Sequence, residues 1–234
     1  VDLTNQTEGF TITGDAGVDT LKGGGGADII TGNGGNDIIT GGAGNDSFTG
    51  SAGNDTFSGD GGNDAIYGHG GDDSITVSGK SGSYTDIIDG GSGTDTLTIS
   101  YTGVTSLADL TISTDGDYIV LTDSNGGAVK YKNIETLKVG SYTYAEDTSD
   151  DTYWSSSAYA LHMYDGGNTS SSGLTGLSGF SASSNMTIYG SSSADSMNLN
   201  IDRSSALTGN LTITLGAGND TISSGKLKNS DSID

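Results

Sequence analysis

The chain has no cysteine and no proline. Without thiols it can hold neither a disulfide framework nor a thiolate metal site. The lack of proline suits long, regular β-stacks, which proline interrupts. Positive charge is also scarce: 8 lysines and arginines face 30 aspartates and glutamates over 234 residues, a formal charge of −22. Phosphate backbones would be repelled, which argues against nucleic acid and makes polyvalent cations the natural partners. Only 31% of residues are apolar, so a chain this acidic stays disordered unless something offsets its charge. No apolar run approaches a transmembrane span. The opening VDLTNQTEGF lacks the basic and apolar regions of a signal peptide. The closing SGKLKNSDSID stops partway into a repeat-like phrase, so the sequence reads as a piece of a larger protein.

Glycine is abundant, with 41 copies, and it is ordered. GNGGNDIITGGAGNDSFT, residues 32–49, is one nine-residue phrase written twice. Aspartates recur every nine residues at Asp19, Asp28, Asp37, Asp46, Asp55, Asp64 and Asp73, giving seven repeats from Gly14 to Thr76. With Asp as the sixth position, the first is Gly14, Gly23, Gly32, Gly41, Gly50, Gly59 and Gly68. The fourth is Gly17, Gly26, Gly35, Gly44, Gly53, Gly62 and Gly71, and the eighth is Leu21, Ile30, Ile39, Phe48, Phe57, Ile66 and Ile75. The second varies, with Asn33, Asp60 and His69 among its residues.

Each repeat reads as a Gly-rich turn followed by a strand of about three residues whose central large side chain points inward. Two repeats close one flattened coil, so repeats i and i+2 stack roughly 4.8 Å apart. That stacking puts carboxylate over carboxylate. Two such charges about 5 Å apart repel by roughly 1 kcal/mol in water, and by several times that at lower dielectric. Like charges in register are destabilising, and the repeats offer only Lys22 as a basic side chain. A hard divalent cation answers the problem. Calcium accepts six to eight oxygens, carbonyls included, whereas magnesium demands a stricter octahedron, and zinc seeks the His and Cys that this chain lacks or has little of.

GGGGADIIT, GNGGNDIIT, GGAGNDSFT and GSAGNDTFS resemble the repeats-in-toxin (RTX) nonapeptide, G-G-x-G-x-D-x-U-x, of secreted bacterial proteins. The resemblance implies an all-β fold, a parallel β-roll with calcium between successive turns on each edge. Carried over residue by residue, the ligands are the seven aspartates, with backbone carbonyls at the first and fourth glycines and at second-position residues such as Asn33 and Asp60. Pairing i with i+2 gives five complete sites: Asp19/Asp37, Asp28/Asp46, Asp37/Asp55, Asp46/Asp64 and Asp55/Asp73. Five or so calcium ions, or more, are expected. His69 is expected to offer its carbonyl rather than its ring.

After Thr76 the phase slips. SGSYTDIID and GGSGTDTLT are looser copies that carry Asp86 and Asp95 as further candidate ligands. The roll is therefore expected over 1–98. From 99 to 149 the pattern is of ordinary strands, with a hairpin at Asn125-Gly126 in a small antiparallel segment that caps the roll and covers an edge. NIETLKVG resembles strand segments that follow such rolls. Over 150–234 an irregular β segment leads into a second solenoid, where LGAGNDTIS and KNSDSID supply Asp220 and Asp231, with Asp195 in a degenerate copy. The aromatic group Tyr153, Trp154, Tyr159, His162, Met163 and Tyr164 reads either as an exposed platform for sugar or as a small core or interface cluster on a short helix through SSSAYALHMY.

No GxSxG elbow and no HExxH zinc helix is present, so no enzymatic activity is expected of this stretch. The reading is a calcium-binding structural segment of a secreted bacterial surface protein, extracellular and at the cell surface: an S-layer subunit, filament or adhesin. It would fold on meeting calcium outside the cell and self-associate into a lattice or filament, or bind cell-surface polysaccharide. Two alternatives stay open, a non-catalytic export and folding appendage of a secreted hydrolase or toxin, and a glycan- or ice-binding adhesin module.

Overall fold

The computed structural model describes residues 1–78 and 83–147, together with the strands at 152–155, 160–163, 186–189, 196–198, 211–214, 221–223 and 232–233. The chain divides into two compact units, Val1–Leu110 with Asp115–Ser141, and Thr111–Thr114 with Tyr142–Asp234.

In the first unit, nine-residue spacing becomes two parallel sheets. The strands are β1 (Thr11–Thr13), β2 (Thr20–Gly25), β3 (Ile29–Gly34), β4 (Ile38–Ala43), β5 (Ser47–Ala52), β6 (Thr56–Gly61), β7 (Ala65–Gly70), β8 (Ser74–Ser78), β9 (Thr85–Ser92) and β10 (Thr96–Ser100). Odd strands pair with odd and even with even, so each coil of this parallel β-solenoid takes one strand from each sheet. Ile30 lies opposite Phe48, and Phe48 opposite Ile66. Leu21, Ile39, Phe57 and Ile75 form the matching column in the even sheet. These eighth-position side chains are at most 1% exposed. They fill the gap between the sheets, where the Phe48 and Phe57 rings stack at 6.5 Å. The strands from β2 to β7 are six residues long rather than three, because pairing runs on past the first glycine: Asn33 lies opposite Ser51 and Gly34 opposite Ala52.

The phase slip does not break the stack. Ile66 lies opposite Ile88 and Ile75 opposite Leu97, so the offset grows from 18 to 22 residues while inner positions stay inner. The strands that follow are β11 (Thr111–Asp115), β12 (Tyr118–Thr122), β13 (Ala128–Lys132) and β14 (Thr136–Val139). β12 and β13 form the antiparallel hairpin expected at Asn125-Gly126. Gly126 there takes φ 82°, and the Asp123 carboxylate accepts the Asn125 and Gly127 N–H groups at 2.7 and 3.0 Å. β13 and β14 do more than cap: they pair in parallel with β9 and β10 and carry both sheets one coil further.

Besides Thr111–Thr114 of β11, the second unit contains β15 (Tyr142–Asp147), β16 (Thr152–Ser155), β17 (Ala160–Met163), β18 (Met186–Tyr189), β19 (Ser196–Asn198), β20 (Leu211–Thr214), β21 (Thr221–Ser223) and β22 (Ser232–Ile233). β15, β16 and β17 are antiparallel neighbours, and β17, β18, β20 and β22 then run parallel. The helix expected through SSSAYALHMY is corrected here, since Ala160–Met163 is a strand with Leu161 opposite Trp154. Strand pairing over TYWS and ALHM outweighs the weak local helical pattern. β19, in the degenerate GSSSADSMN copy, and β21, in LGAGNDTIS, pair in parallel with Met197 opposite Ile222, while Asp195, Asp220 and Asp231 lie outside the described residues.

Candidate metal centres

The sixth-position aspartate of each repeat sits at the bend before a strand, and the register stacks these residues in two ladders. One holds Asp19, Asp37, Asp55, Asp73 and Asp95. Along it each backbone N–H donates to Oδ1 of the next rung at 2.8 Å. The other holds Asp28, Asp46, Asp64 and Asp86, joined in the same way at 2.8, 3.0 and 2.9 Å. These seven bonds define seven stacked carboxylate pairs: the five read from the spacing, plus Asp64/Asp86 and Asp73/Asp95. Apart from Asp19, every carboxylate on the ladders is at most 2% exposed.

The second carboxylate oxygen turns toward the first-position glycine of its own repeat. A Cβ on Gly32, Gly50 or Gly68 would collide with Oδ2 of Asp37, Asp55 or Asp73. The same holds for Gly14 with Asp19, Gly23 with Asp28 and Gly41 with Asp46, and a Cβ on Gly59 would stand 2.6 Å from Asp64 Oδ2. A carbonyl of the next coil converges on the same spot: a Cβ on Gly50 would lie 2.9 Å from the Gly68 oxygen, and one on Gly32 3.1 Å from the Gly50 oxygen. Glycine at position one therefore lets a carboxylate oxygen and a carbonyl oxygen approach one another. At the start of the ladders Oδ2 finds a backbone donor, Asp15 N–H for Asp19 at 2.8 Å and Gly24 N–H for Asp28 at 3.0 Å. Further along, Oδ2 of Asp37, Asp55, Asp73 and Asp95 is buried without a hydrogen-bond partner.

Fourth-position glycines do parallel work on the other side of the turn. Gly35, Gly44, Gly53 and Gly62 take φ between 116° and 133°. A Cβ on any of them would strike the carbonyl of the equivalent glycine one coil earlier, Gly17, Gly26, Gly35 and Gly44. Second-position residues are left-handed even when not glycine: Asn33, Ser51, Asp60 and His69 have φ of 77°, 91°, 60° and 73°. Two of these side chains are already engaged locally. Asn33 Nδ2 donates to the Gly14 carbonyl at 2.9 Å, and Asp60 Oδ1 accepts from Ser58 at 2.6 Å. The His69 carbonyl accepts from Ser92 at 3.2 Å, and its ring faces Tyr67 with centroids 6.5 Å apart.

One element was not anticipated. The fifth position repeats as Asn36, Asn45, Asn54 and Asn63, then Asp72, and it forms a third kind of ladder. Asn36 Oδ1 accepts from Asn54 N–H, Asn45 from Asn63, and Asn54 from Asp72, each at 2.9 Å. Asn63 and Asp72 extend the pattern to Thr85 and Thr94 at 3.0 and 2.9 Å. The recurrence of Asn beside Asp was the visible signal.

The protein's own groups disfavour the ionised form of Asp55, Asp73 and Asp95. Burial pushes Asp73 up to about 7, and the charges of Asp95, Asp55 and Asp72 push the same way against the bond from Asp55 N–H. Burial also raises Asp55, where Asp37 adds to the shift, and Asp95, where Glu135 does. The nearby lysines serve other acids: Lys22 pairs with Asp2 at 3.8 Å, Lys130 with Asp115 at 2.6 Å and Lys132 with Asp89 at 3.2 Å. Among the described residues no three His, Cys, Asp or Glu side chains gather around one point. A cation held here must take backbone carbonyls beside its carboxylates, a donor set of hard oxygens that fits calcium and not zinc.

The family model of the RTX calcium-binding nonapeptide repeat matches in four copies, at residues 13–48, 40–75, 81–98 and 198–226. The chain carries RTX calcium-binding repeats. Three of the matched copies lie in the RTX roll, and the fourth takes in the LGAGNDTIS phrase of the second unit. A search of curated proteins gives no match. Among solved structures, the extracellular lipase LipA from Serratia marcescens is similar over 80% of this chain, at 18% identity and a TM-score of 0.39. The similarity spans 32% of the lipase chain.

Proposed function

We propose that the RTX roll holds calcium between successive coils, through its stacked aspartates with carbonyls of the first-, second- and fourth-position residues. The seven stacked pairs would make seven sites in the first unit, and Asp220 and Asp231 would serve the second. The observation that carries this reading is the set of buried, unpartnered Oδ2 atoms on Asp37, Asp55, Asp73 and Asp95. Buried polar atoms without partners are rare and need an explanation, and an unpaired buried charge is costly. Bound calcium would supply positive charge and accept oxygen ligands where the coils leave them converging.

The larger role we infer is that of a calcium-assembled structural module in a secreted bacterial surface protein, such as an S-layer, filament or adhesin. At low calcium, repulsion along the ladders keeps the chain open. Outside the cell, where extracellular calcium modules bind at about 10⁻⁴–10⁻³ M, the ion stabilises the folded form by mass action. The outer face of the even sheet supports a contact role. It presents registered hydroxyls at Thr56, Ser74 and Thr96, and at Thr40, Ser58, Thr76 and Thr98, a regular polar surface suited to a second copy or to polysaccharide. Among the described residues no helix is long and apolar enough to cross a membrane.

Far-UV circular dichroism during a calcium titration tests the metal reading, with a gain of β signal expected. No gain up to about 10 mM, above the expected affinity range, would sink it. Negative-stain imaging with and without calcium tests the surface role separately: a lattice or filament should appear only with the ion.

A further inference from the structure

We propose that Glu135, with the Asn133 carbonyl, completes a further calcium site against Asp95, one coil beyond the last recognisable repeat. The proposal rests on the roll being calcium-bound. β14 lies parallel to β10 with Thr96 opposite Thr136 and Leu97 opposite Leu137, so Glu135 occupies the place of the next ladder aspartate although it is 40 residues on. The backbone joins it as it joins the regular rungs. Asp95 N–H donates to Glu135 Oε2 at 2.6 Å, as Asp73 N–H donates to Asp95 Oδ1 at 2.8 Å.

The carbonyl half of the site is reproduced by the other sheet. β13 sets Tyr131 opposite Ile88 and Lys132 opposite Asp89, which brings Asn133 to Gly90. A Cβ on Gly90 would collide with the Asn133 carbonyl and stand 2.6 Å from Asp95 Oδ2. This is the pair of oxygens that meets at Gly50 and Gly68 within the repeats. Asp95 is fully buried, and its Oδ2 has no hydrogen-bond partner. The adjacent donors are turned elsewhere: Lys132 and Asn133 Nδ2 both reach Asp89, at 3.2 and 2.6 Å.

The second ladder ends differently, which sharpens the assignment. The register sets Val129 opposite Asp86, and the Tyr101 phenol donates to Asp86 Oδ2 at 3.5 Å while its ring packs edge-on against Tyr84. The register therefore brings an apolar residue to Asp86, where it brings a carboxylate to Asp95. Glu135 is exposed where the interior aspartates are buried, so its site should fill last and empty first.

Glu135→Gln keeps an acceptor for Asp95 N–H and removes the charge. In the full chain, equilibrium dialysis with elemental analysis should find one calcium fewer than in the parent at saturation. Calorimetric titration should lose its weakest step, and the variant's melting temperature should fall in calcium but not in chelator. A parent that binds several ions and a variant that binds the same number would overturn the terminal site and leave the roll reading standing. A parent that binds none would overturn both. The parent offers a second readout that needs no variant: amide exchange at residues 133–137 should slow only as the last sites fill. Exchange there that ignores calcium would also overturn the proposal.

Discussion

Asp55→Asn should change sign with calcium. Asp55 belongs to two stacked pairs, since its Oδ1 accepts from Asp37 N–H and its own N–H donates to Asp73 Oδ1. Asparagine keeps an Oδ1 acceptor and removes the negative charge from both. At 10 mM calcium, sites with dissociation constants of about 10⁻⁴–10⁻³ M each contribute about 1.4–2.7 kcal/mol by mass action. Losing two such ions costs about 3–5 kcal/mol, a large share of a domain's usual stability. In chelator the balance reverses. Burial and the charge of Asp37 disfavour the ionised Asp55, so the neutral amide should leave the metal-free roll as stable or more so. Urea melts followed by circular dichroism would measure both arms, with sucrose added to hold the metal-free roll folded. An equal loss with and without calcium would refute the reasoning, for it would mean that Asp55 acts through packing and hydrogen bonding alone.

Further outcomes are expected. Asp73 is pushed from 3.8 up to about 7 in the fold, so its contribution to the metal-free roll is present below about pH 4, near the unfolded value, and is lost as pH rises through 7. Asp55 and Asp95 shift in the same direction. In chelator the β signal should therefore be stronger at pH 5 than at pH 8, and in calcium the order should invert, because the ion takes deprotonated ligands; a matching pH profile in the two conditions would count against the ladder. Gly53→Ala forces a Cβ into the Gly35 carbonyl at φ 128°, while Gly116→Ala at φ 64° meets open space. The first should cost about 3 kcal/mol and the second about 1 kcal/mol in denaturant melts. Asn54→Ala removes the acceptor for Asp72 N–H and should cost about 1 kcal/mol, equally with and without calcium.

What the sequence disclosed was whatever repeats at a fixed period. The eighth-position column was readable because burial follows side-chain size, and Leu21 through Ile75 are all in the core. The aspartate ladders were readable because nine doubled is the coil. Asp86 and Asp95 stood out of phase, yet parallel pairing needs only that a strand return to register, and four extra residues between repeats leave that intact. Glu135 was hidden for a related reason: its partner lies 40 residues away, with no period to announce it. The asparagine ladder was visible as a recurring letter but reads locally as turn chemistry, and only the stack shows each Oδ1 reaching a neighbouring coil. Strand length was underestimated because glycine is disfavoured in ordinary strands, while here its ladder bonds and close approaches keep it in the sheet.

Sharing of rungs also sets how calcium should act. Asp37, Asp55 and Asp73 on one ladder, and Asp46 and Asp64 on the other, each stand in two stacked pairs. An ion bound on one side of such a residue would fix its carboxylate and its coil, so the neighbouring ion would meet a ligand already ordered. Each coil contacts mainly the coils beside it, as in other quasi-one-dimensional stacks, and nearest-neighbour coupling of this kind should make folding a steep function of calcium. Asp55→Asn splits one ladder into Asp19/Asp37 and Asp73/Asp95 while leaving the other whole. The calcium-folding curve should then become shallower as well as shift to higher concentration. Asp19→Asn only trims an end, because Asp19 stands in a single stacked pair, and it should shift the midpoint less with little loss of slope. Identical slopes in the two variants and the parent would show that the rungs fill independently, and that the shared aspartates transmit nothing along the stack.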